Sequence, residues 1–162
     1  MANLVRIAVF GPESTGKTSL TQALAEHFGE PWSPEFVREY WEKHGGRIEA
    51  KDLPAIARGQ IAEEDKAAER AQRILFCDTE LLTHVLWADL LYPGACEAWV
   101  REEAENRAKR FTLYLLCAID LPFQPDPQRC FPDQAGREKC AQLWRETLEK
   151  RALPFVEIAV RA

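Results

Sequence analysis

Along the chain, short apolar runs alternate with stretches of helical periodicity. Val5, Ile7, Val9 and Phe10 open as a strand, and after a glycine-bearing turn Leu20, Ala23 and Leu24 recur at helical spacing. Gly29-Glu30-Pro31 breaks that helix. A short second strand is expected within 32–37, ending near Glu35, and 36–44 reads as one or two helical turns closed by Gly45-Gly46. From Asp52, the expected N-cap, to about Gln72, the residues Leu53, Ile56, Ala57, Ile61, Ala68 and Ala71 share one helix face. Gly59 is expected to interrupt this helix.

Ile74-Leu75-Phe76-Cys77 is uninterrupted and apolar, as a strand buried on both faces must be, and it ends on Asp78. A helix over 81–91 follows and is stopped by Tyr92-Pro93-Gly94; a polar helical stretch covers 95–110. The next apolar run, 112–119, ends on Asp120. Four of the ten prolines fall within 121–134, which reads as a loop, and a helix over 135–151 and a strand over 154–160 complete the pattern. Strands separated by helices imply an α/β fold: three layers, with a parallel five-stranded sheet between helices and ligands at the carboxyl ends of the strands.

The 162 residues suit one domain, 1–162, with a lid region at about 121–137. A net charge of −5 without a basic cluster argues against nucleic acid as a partner. Apolar runs fall short of the ~20 residues of a membrane span, so a cytoplasmic protein without a membrane partner is expected. Five widely spaced cysteines without Cys-x-x-Cys do not suggest a zinc site or a disulfide framework, and Cys77 and Cys117 are expected as small buried thiols.

The turn after the first strand reads Gly11-Pro12-Glu13-Ser14-Thr15-Gly16-Lys17-Thr18, the Gly-x4-Gly-Lys-Thr spacing of a phosphate-binding loop (Walker A) between strand and helix. Its glycines allow successive N–H groups to curl round an anion at a helix N-terminus. Gly11, Glu13, Ser14, Thr15, Gly16, Lys17, Thr18 and Ser19 are therefore the expected nucleotide contacts. Lys17 reaches the β- and γ-phosphates and the Thr18 hydroxyl helps hold Mg²⁺, so the expected bound species is a magnesium nucleoside triphosphate.

Asp78, at a strand end before a helix, is the expected second metal residue, and it also suits a helix N-cap. Glu35 is placed to orient an acceptor hydroxyl and take its proton, with Glu39 as the competing base. Arg38 and Arg129 are placed to stabilise the transferring phosphoryl group. Arg129 and Arg137, on the loop after the fourth strand, are expected to close over the triphosphate. Tyr40, Trp41 and Trp87 offer rings on which an acceptor base could stack, and Gln60 offers a hydrogen bond to an acceptor hydroxyl.

The phosphate loop, Pro34-Glu35-Phe36-Val37-Arg38-Glu39-Tyr40, Gly59-Gln60, Asp78-Thr79-Glu80 with Thr83, and Asp120-Leu121-Pro122-Phe123 followed by Asp126 and Arg129 form an ordered set. In this set the chain resembles the ribosylnicotinamide kinase domain of NadR-type proteins, within the P-loop NTPase (AAA-like) small-molecule kinases. The resemblance implies a nucleoside/nucleotide-kinase-like fold and transfer of the γ-phosphoryl group of ATP to the 5′-hydroxyl of nicotinamide riboside, forming nicotinamide mononucleotide for NAD synthesis. The chain departs from the family pattern at Glu80, where Asp is usual, at Phe123, where Trp is usual, and at Pro127-Gln128, where Gly-Leu is usual. The family also continues into a further loop and helix near the adenine, so a more open nucleotide pocket is expected here. Two other readings accompany this one: a kinase of another nucleoside or small metabolite, and a nucleotide-dependent switch that phosphorylates nothing.

Overall fold

Parallel pairing assembles a sheet from strands far apart in sequence. The structure is a computed structural model that describes residues 3–12, 15–118 and 134–159. Strands β1 (Val5–Phe10), β2 (Trp32–Ser33), β3 (Ile74–Asp78), β4 (Leu113–Cys117) and β5 (Phe155–Ile158) lie in the order β2-β3-β1-β4-β5, every neighbouring pair parallel. The helices between them are α1 (Lys17–Phe28), α2 (Phe36–Lys43), α3 (Leu53–Arg70), α4 (Leu81–Leu91), α5 (Ala98–Ala108) and α6 (Gln134–Lys150). The expected α/β sheet is thus observed. Most of 121–137, the expected lid, lies outside the described residues.

Strand alternation divides the apolar side chains between two layers. Ala8, Phe10, Leu75, Cys77, Tyr114 and Leu116 point to one face, where Leu81 and Leu82 of α4, Val100 and Ala104 of α5, and Trp144 and Leu148 of α6 close over them. Aromatic contacts tie this layer together: Phe10 meets Tyr114 edge-on at 5.3 Å between ring centroids, and Trp87 of α4 meets Trp144 of α6 at 4.9 Å. On the opposite face, Phe28 at the end of α1 lies 5.7 Å from Phe76. Cys77, Cys117 and Cys140 are buried.

A buried ionic clasp joins three elements of the larger layer. Arg107 of α5 donates to Glu64 (3.2 Å) and Asp65 (3.0 Å) of α3 and to Glu103 on its own helix (2.8 Å), while Arg6 of β1 also reaches Glu64 (3.4 Å). Burial raises the Glu64 carboxyl above its ordinary pKa, and Arg107 and then Arg6 oppose the shift.

Several local expectations are revised. The second strand has only Trp32–Ser33, because the chain turns into α2 directly after Glu35. Asp52 does not cap α3 with its side chain; it closes a capping box with Glu49 around the short 3₁₀ turn Ala50–Asp52 and accepts the Tyr40 hydroxyl at 2.7 Å. Gly59 does not interrupt α3, which runs unbroken through it. The position is small because the Phe36 ring of α2 lies on it: a Cβ there would sit 2.2 Å from Phe36 Cε2. Asp78 is not the cap of α4 either. Glu80 fills that position, its carboxylate accepting Thr83 N–H at 3.2 Å.

The start of β3 is held by one carboxylate. Glu30, just after α1, accepts the N–H groups of Gln72 (3.0 Å), Arg73 (2.8 Å) and Ile74 (2.8 Å). These bonds, Gln72's foremost, hold the Glu30 carboxyl below its ordinary pKa against a smaller opposing effect of burial.

Two stability outcomes are expected. Gly59→Ala forces Phe36 and α2 away from α3 and should lower unfolding stability by about 1–3 kcal/mol, read as a reduced urea midpoint. Glu30→Ala should cost about 1–2 kcal/mol at pH 7. Because the folded-state pKa is the lower one, the advantage of the parent protein exists above the unfolded carboxylate's pKa and vanishes as pH falls through the folded value, so urea midpoints of the two proteins should converge in acid.

Candidate active site

At the carboxyl ends of β1, β3 and β2 the chain leaves the sheet in three tight transitions. After β1, Gly11 takes φ 153°, and a Cβ there would lie 3.0 Å from the Cys117 carbonyl oxygen of β4. Gly16 takes φ 78° as the residue entering α1, a backbone state that a side chain disfavours. Between them the Thr15 hydroxyl donates to the Pro12 carbonyl at 2.9 Å, and the Lys17 ammonium folds back onto the same carbonyl at 2.9 Å. Glu13 and Ser14 lie outside the described residues. After β3, Thr79 takes φ 65°, an unfavourable conformation for a β-branched residue, held by its N–H to the Val9 carbonyl at 3.0 Å. That strained turn sets Asp78 on one side and Glu80 on the other.

These transitions open onto a cavity of about 700 Å³. Of the residues singled out from sequence, Thr15, Gly16, Lys17, Thr18, Ser19, Glu35, Arg38, Trp41, Gln60, Asp78 and Trp87 line it together. Thr18 donates its hydroxyl to Asp78 Oδ2 at 2.6 Å, while Asp78 Oδ1 is buried without a hydrogen-bond partner. Two hard oxygen groups in contact, one with an unused carboxylate oxygen, suit Mg²⁺, which takes one or two protein ligands and fills its octahedron with phosphate and water. Among the described residues no cluster of three or more His, Cys, Asp or Glu could hold a metal by itself.

The carboxylates of the cavity are desolvated. Burial raises Glu35; Lys17 opposes the rise, Asp78 adds to it and Arg38 opposes it. Burial likewise raises Asp78, against Lys17, the Thr18 hydrogen bond and Arg38. Glu80 is pushed up to about 8, chiefly by burial, although it accepts the Tyr114 hydroxyl at 3.0 Å.

Other expected site residues fall elsewhere. Tyr40 is not on the cavity wall: its hydroxyl is committed to Asp52 and its ring stacks on His44 with centroids 3.8 Å apart. Glu39 faces solvent and pairs with Lys43 at 2.8 Å, away from the cavity, which leaves Glu35 as the carboxylate of α2's entry that faces it. Arg137 is buried within the first turns of α6, not exposed on a loop. Arg129, Asp120 and Asp126 lie outside the described residues. From the sequence, Glu80 and Thr83 entered only as parts of the family pattern, with no role at the site, and His84 was passed over. The signal was available for His84: with Trp87, Ala88 and Leu91 it falls at i, i+3, i+4 and i+7, one stripe of α4, and all four line the cavity.

Strand, glycine-bearing loop, helix, and an acidic residue ending the neighbouring parallel strand define the P-loop NTPase class, here with the α/β architecture of small-molecule kinases. Residues 6–161 match the AAA domain family, and the chain belongs to that family. It is 28% identical over 156 residues to the trifunctional NAD biosynthesis/regulator protein NadR of Escherichia coli K12, a match covering 94% of this chain and 37% of the relative. The chain thus spans little more than a third of that relative's length. Among solved structures, NadR protein in complex with NR superimposes with a TM-score of 0.68 at 22% identity, covering 95% of this chain and 43% of that one. Deoxyadenosine kinase from M. mycoides superimposes with a TM-score of 0.59 at 12% identity, covering 97% and 90%. These likenesses to solved structures concern the fold.

Proposed function

We propose that this chain is an ATP-dependent kinase that transfers the γ-phosphoryl group to the 5′-hydroxyl of nicotinamide riboside. The observation that carries the proposal is that two desolvated carboxylates from different strand ends, Glu35 and Asp78, face the same cavity as Lys17 and Thr18 of the phosphate loop. A nucleotide switch needs the second carboxylate's metal function but has no use for the first. The similarity to NadR, and to NadR bound to NR, supports nicotinamide riboside as the acceptor. Its pyridinium ring carries a positive charge, and a cavity with Glu35 and Asp78 on its wall suits a cationic nucleoside.

In this reading the N–H groups entering α1 bind the phosphates, and Lys17 leaves the Pro12 carbonyl for a phosphate oxygen, a stronger charge-assisted partner. Thr18 and Asp78 would hold Mg²⁺, which would supply positive charge to neutralise the phosphates. Glu35 accepts a hydrogen bond from the acceptor's primary hydroxyl, aims its oxygen at the phosphorus and takes its proton as the new O–P bond forms. Arg38 of α2, on the same wall, stabilises the negative charge spread over the transferring group, with Arg129 assigned the same part from the lid. Positioning and charge stabilisation supply most of the rate.

The direct test is to incubate the purified protein with Mg·ATP and nicotinamide riboside and detect nicotinamide mononucleotide; no turnover of this or any other nucleoside would refute the kinase reading. Asp78→Asn should weaken nucleotide binding at least about tenfold when Mg²⁺ is present and little when it is chelated, by calorimetric titration. Glu35→Gln should lower kcat by about 10²- to 10⁴-fold with a smaller change in KM. Since burial raises the Glu35 pKa and the base must be ionised, kcat/KM should fall as pH drops through that raised value. The acid limb should therefore begin above the ordinary glutamate range and be absent from the residual activity of Glu35→Gln.

A further inference from the structure

Three polar residues lining the cavity, Gln60, Thr83 and His84, remain without work in phosphate or metal binding. Gln60 Nε2, Thr83 Oγ1 and His84 Nε2 are each buried and make no hydrogen bond to a described residue. A folded protein seldom leaves such groups unpaired unless a ligand or water completes them. Gln60 is not free to turn away, because its Oε1 accepts the Phe36 N–H at 3.0 Å, and this fixes its NH₂ on the wall. Thr83 and His84 lie in the first turn of α4, anchored by Glu80 as its cap. A histidine that merely filled the core would be expected to find a backbone partner or to sit in a closed apolar setting. His84 does neither.

The wall changes character along α4. Thr83 and His84 lie next to the Asp78 end; one turn on, about 5.4 Å further, come Trp87 and Ala88, and then Leu91. An acceptor whose primary hydroxyl lies at Glu35 and Asp78, and whose flat ring lies against Trp87 and Leu91, presents its middle portion to Gln60, Thr83 and His84. In a riboside that portion is the sugar with its two secondary hydroxyls.

Resting on the riboside-kinase reading above, we propose that His84, together with Gln60 and Thr83, is a specificity determinant that reads the acceptor's 2′- and 3′-hydroxyls and so selects ribosides over deoxyribosides. Each hydroxyl is both donor and acceptor. A neutral imidazole offers one nitrogen of each kind, the Gln60 NH₂ offers donors, and the Thr83 hydroxyl offers either. Burial holds the His84 pKa down at about 4, so the ring is neutral at physiological pH and does not repel a cationic base. An analogue lacking a hydroxyl would leave these groups unpaired again inside a closed complex, the situation in which hydrogen-bonding sites discriminate most strongly.

The experiment compares nicotinamide riboside with its 2′-deoxy and 3′-deoxy analogues, using the full chain with Mg·ATP and steady-state kinetics. The parent enzyme should prefer the riboside by at least about 100-fold in kcat/KM over one or both analogues. His84→Leu should lose about 10- to 100-fold on the riboside, mostly through KM, while changing the disfavoured analogue little, so that selectivity collapses; His84→Asn, which keeps a donor and an acceptor, should restore part of it. Thr83→Val provides an independent arm if His84→Leu does not fold, and it too should erode selectivity more than turnover. Equal preference for riboside and deoxyribosides in the parent, or losses in the variants that are the same for all three nucleosides, would overturn the proposal. If the parent turns over no nucleoside, the kinase reading falls, yet calorimetric titration of the three nucleosides still decides the hydroxyl reading: equal affinities overturn it, and riboside preference that His84→Leu abolishes supports it.

Discussion

The parallel pairing of β1 with β3 is the constraint on which the site depends. Its register sets Asp78 opposite Val9, the penultimate residue of the strand that feeds the phosphate loop. Thr18, a turn later, can then reach the Asp78 carboxylate, and the Thr79 N–H closes onto the Val9 carbonyl from the other side. A slip of one residue would turn Asp78 into the opposite layer and bury its charge among apolar side chains, so the register is secured by the core and the chemistry together. The positive φ at Thr79 belongs to the same arrangement: the chain must reverse within one residue if Asp78 is to face the loop while Glu80 turns inward to Tyr114 and caps α4.

Around that centre the fold uses charge sparingly but at depth. The clasp of Arg107, Glu64 and Arg6 sits in the layer that also carries the cavity wall, fixing α3 and α5 to the sheet with nearly all of Glu64 withdrawn from water. Breaking such a pair leaves an uncompensated charge, so these residues restrain the helices more than their attraction alone would suggest. The restraint matters at the site because α3 supplies Gln60, and α2, which supplies Arg38 and follows Glu35, rests on α3 through Phe36 and Gly59. The side of the cavity away from the glycine loop is thus a packed assembly of α2, α3 and α4, whereas the side at Gly11 and Gly16 is mostly backbone.

The difference explains what was legible from residues alone. Backbone-built features have local signatures: the spacing Gly11 to Thr18, the apolar runs ending on Asp78 and near Glu35, and the helical stripes of α3 and α4 could each be read within a few turns of chain. Side-chain-built features could not. An isolated glycine at position 59 has the same local meaning whether it ends a helix or makes room for an aromatic ring, and only the approach of Phe36 distinguishes the two. Tyr40 and Trp41 are adjacent in sequence and equally aromatic, but the helix sends one ring to His44 and the other to the cavity. Asp52, Asp78 and Glu80 all precede helices, and which of them caps was decided by where the neighbouring backbone N–H groups point.

By itself, then, the sequence determined the α/β alternation, the place of the phosphate loop and the strand ends at which chemistry can gather, because hydrophobic period and glycine spacing act over short stretches of chain. Tertiary structure decided which of the remaining polar residues face one another: it gathered Glu35, Gln60 and Asp78 around one cavity, turned Tyr40 and Glu39 away from it and buried Arg137 within α6. Those choices depend on how helices separated by tens of residues pack over a twisted sheet, and such contacts leave no mark on the local pattern of hydrophobic and polar positions.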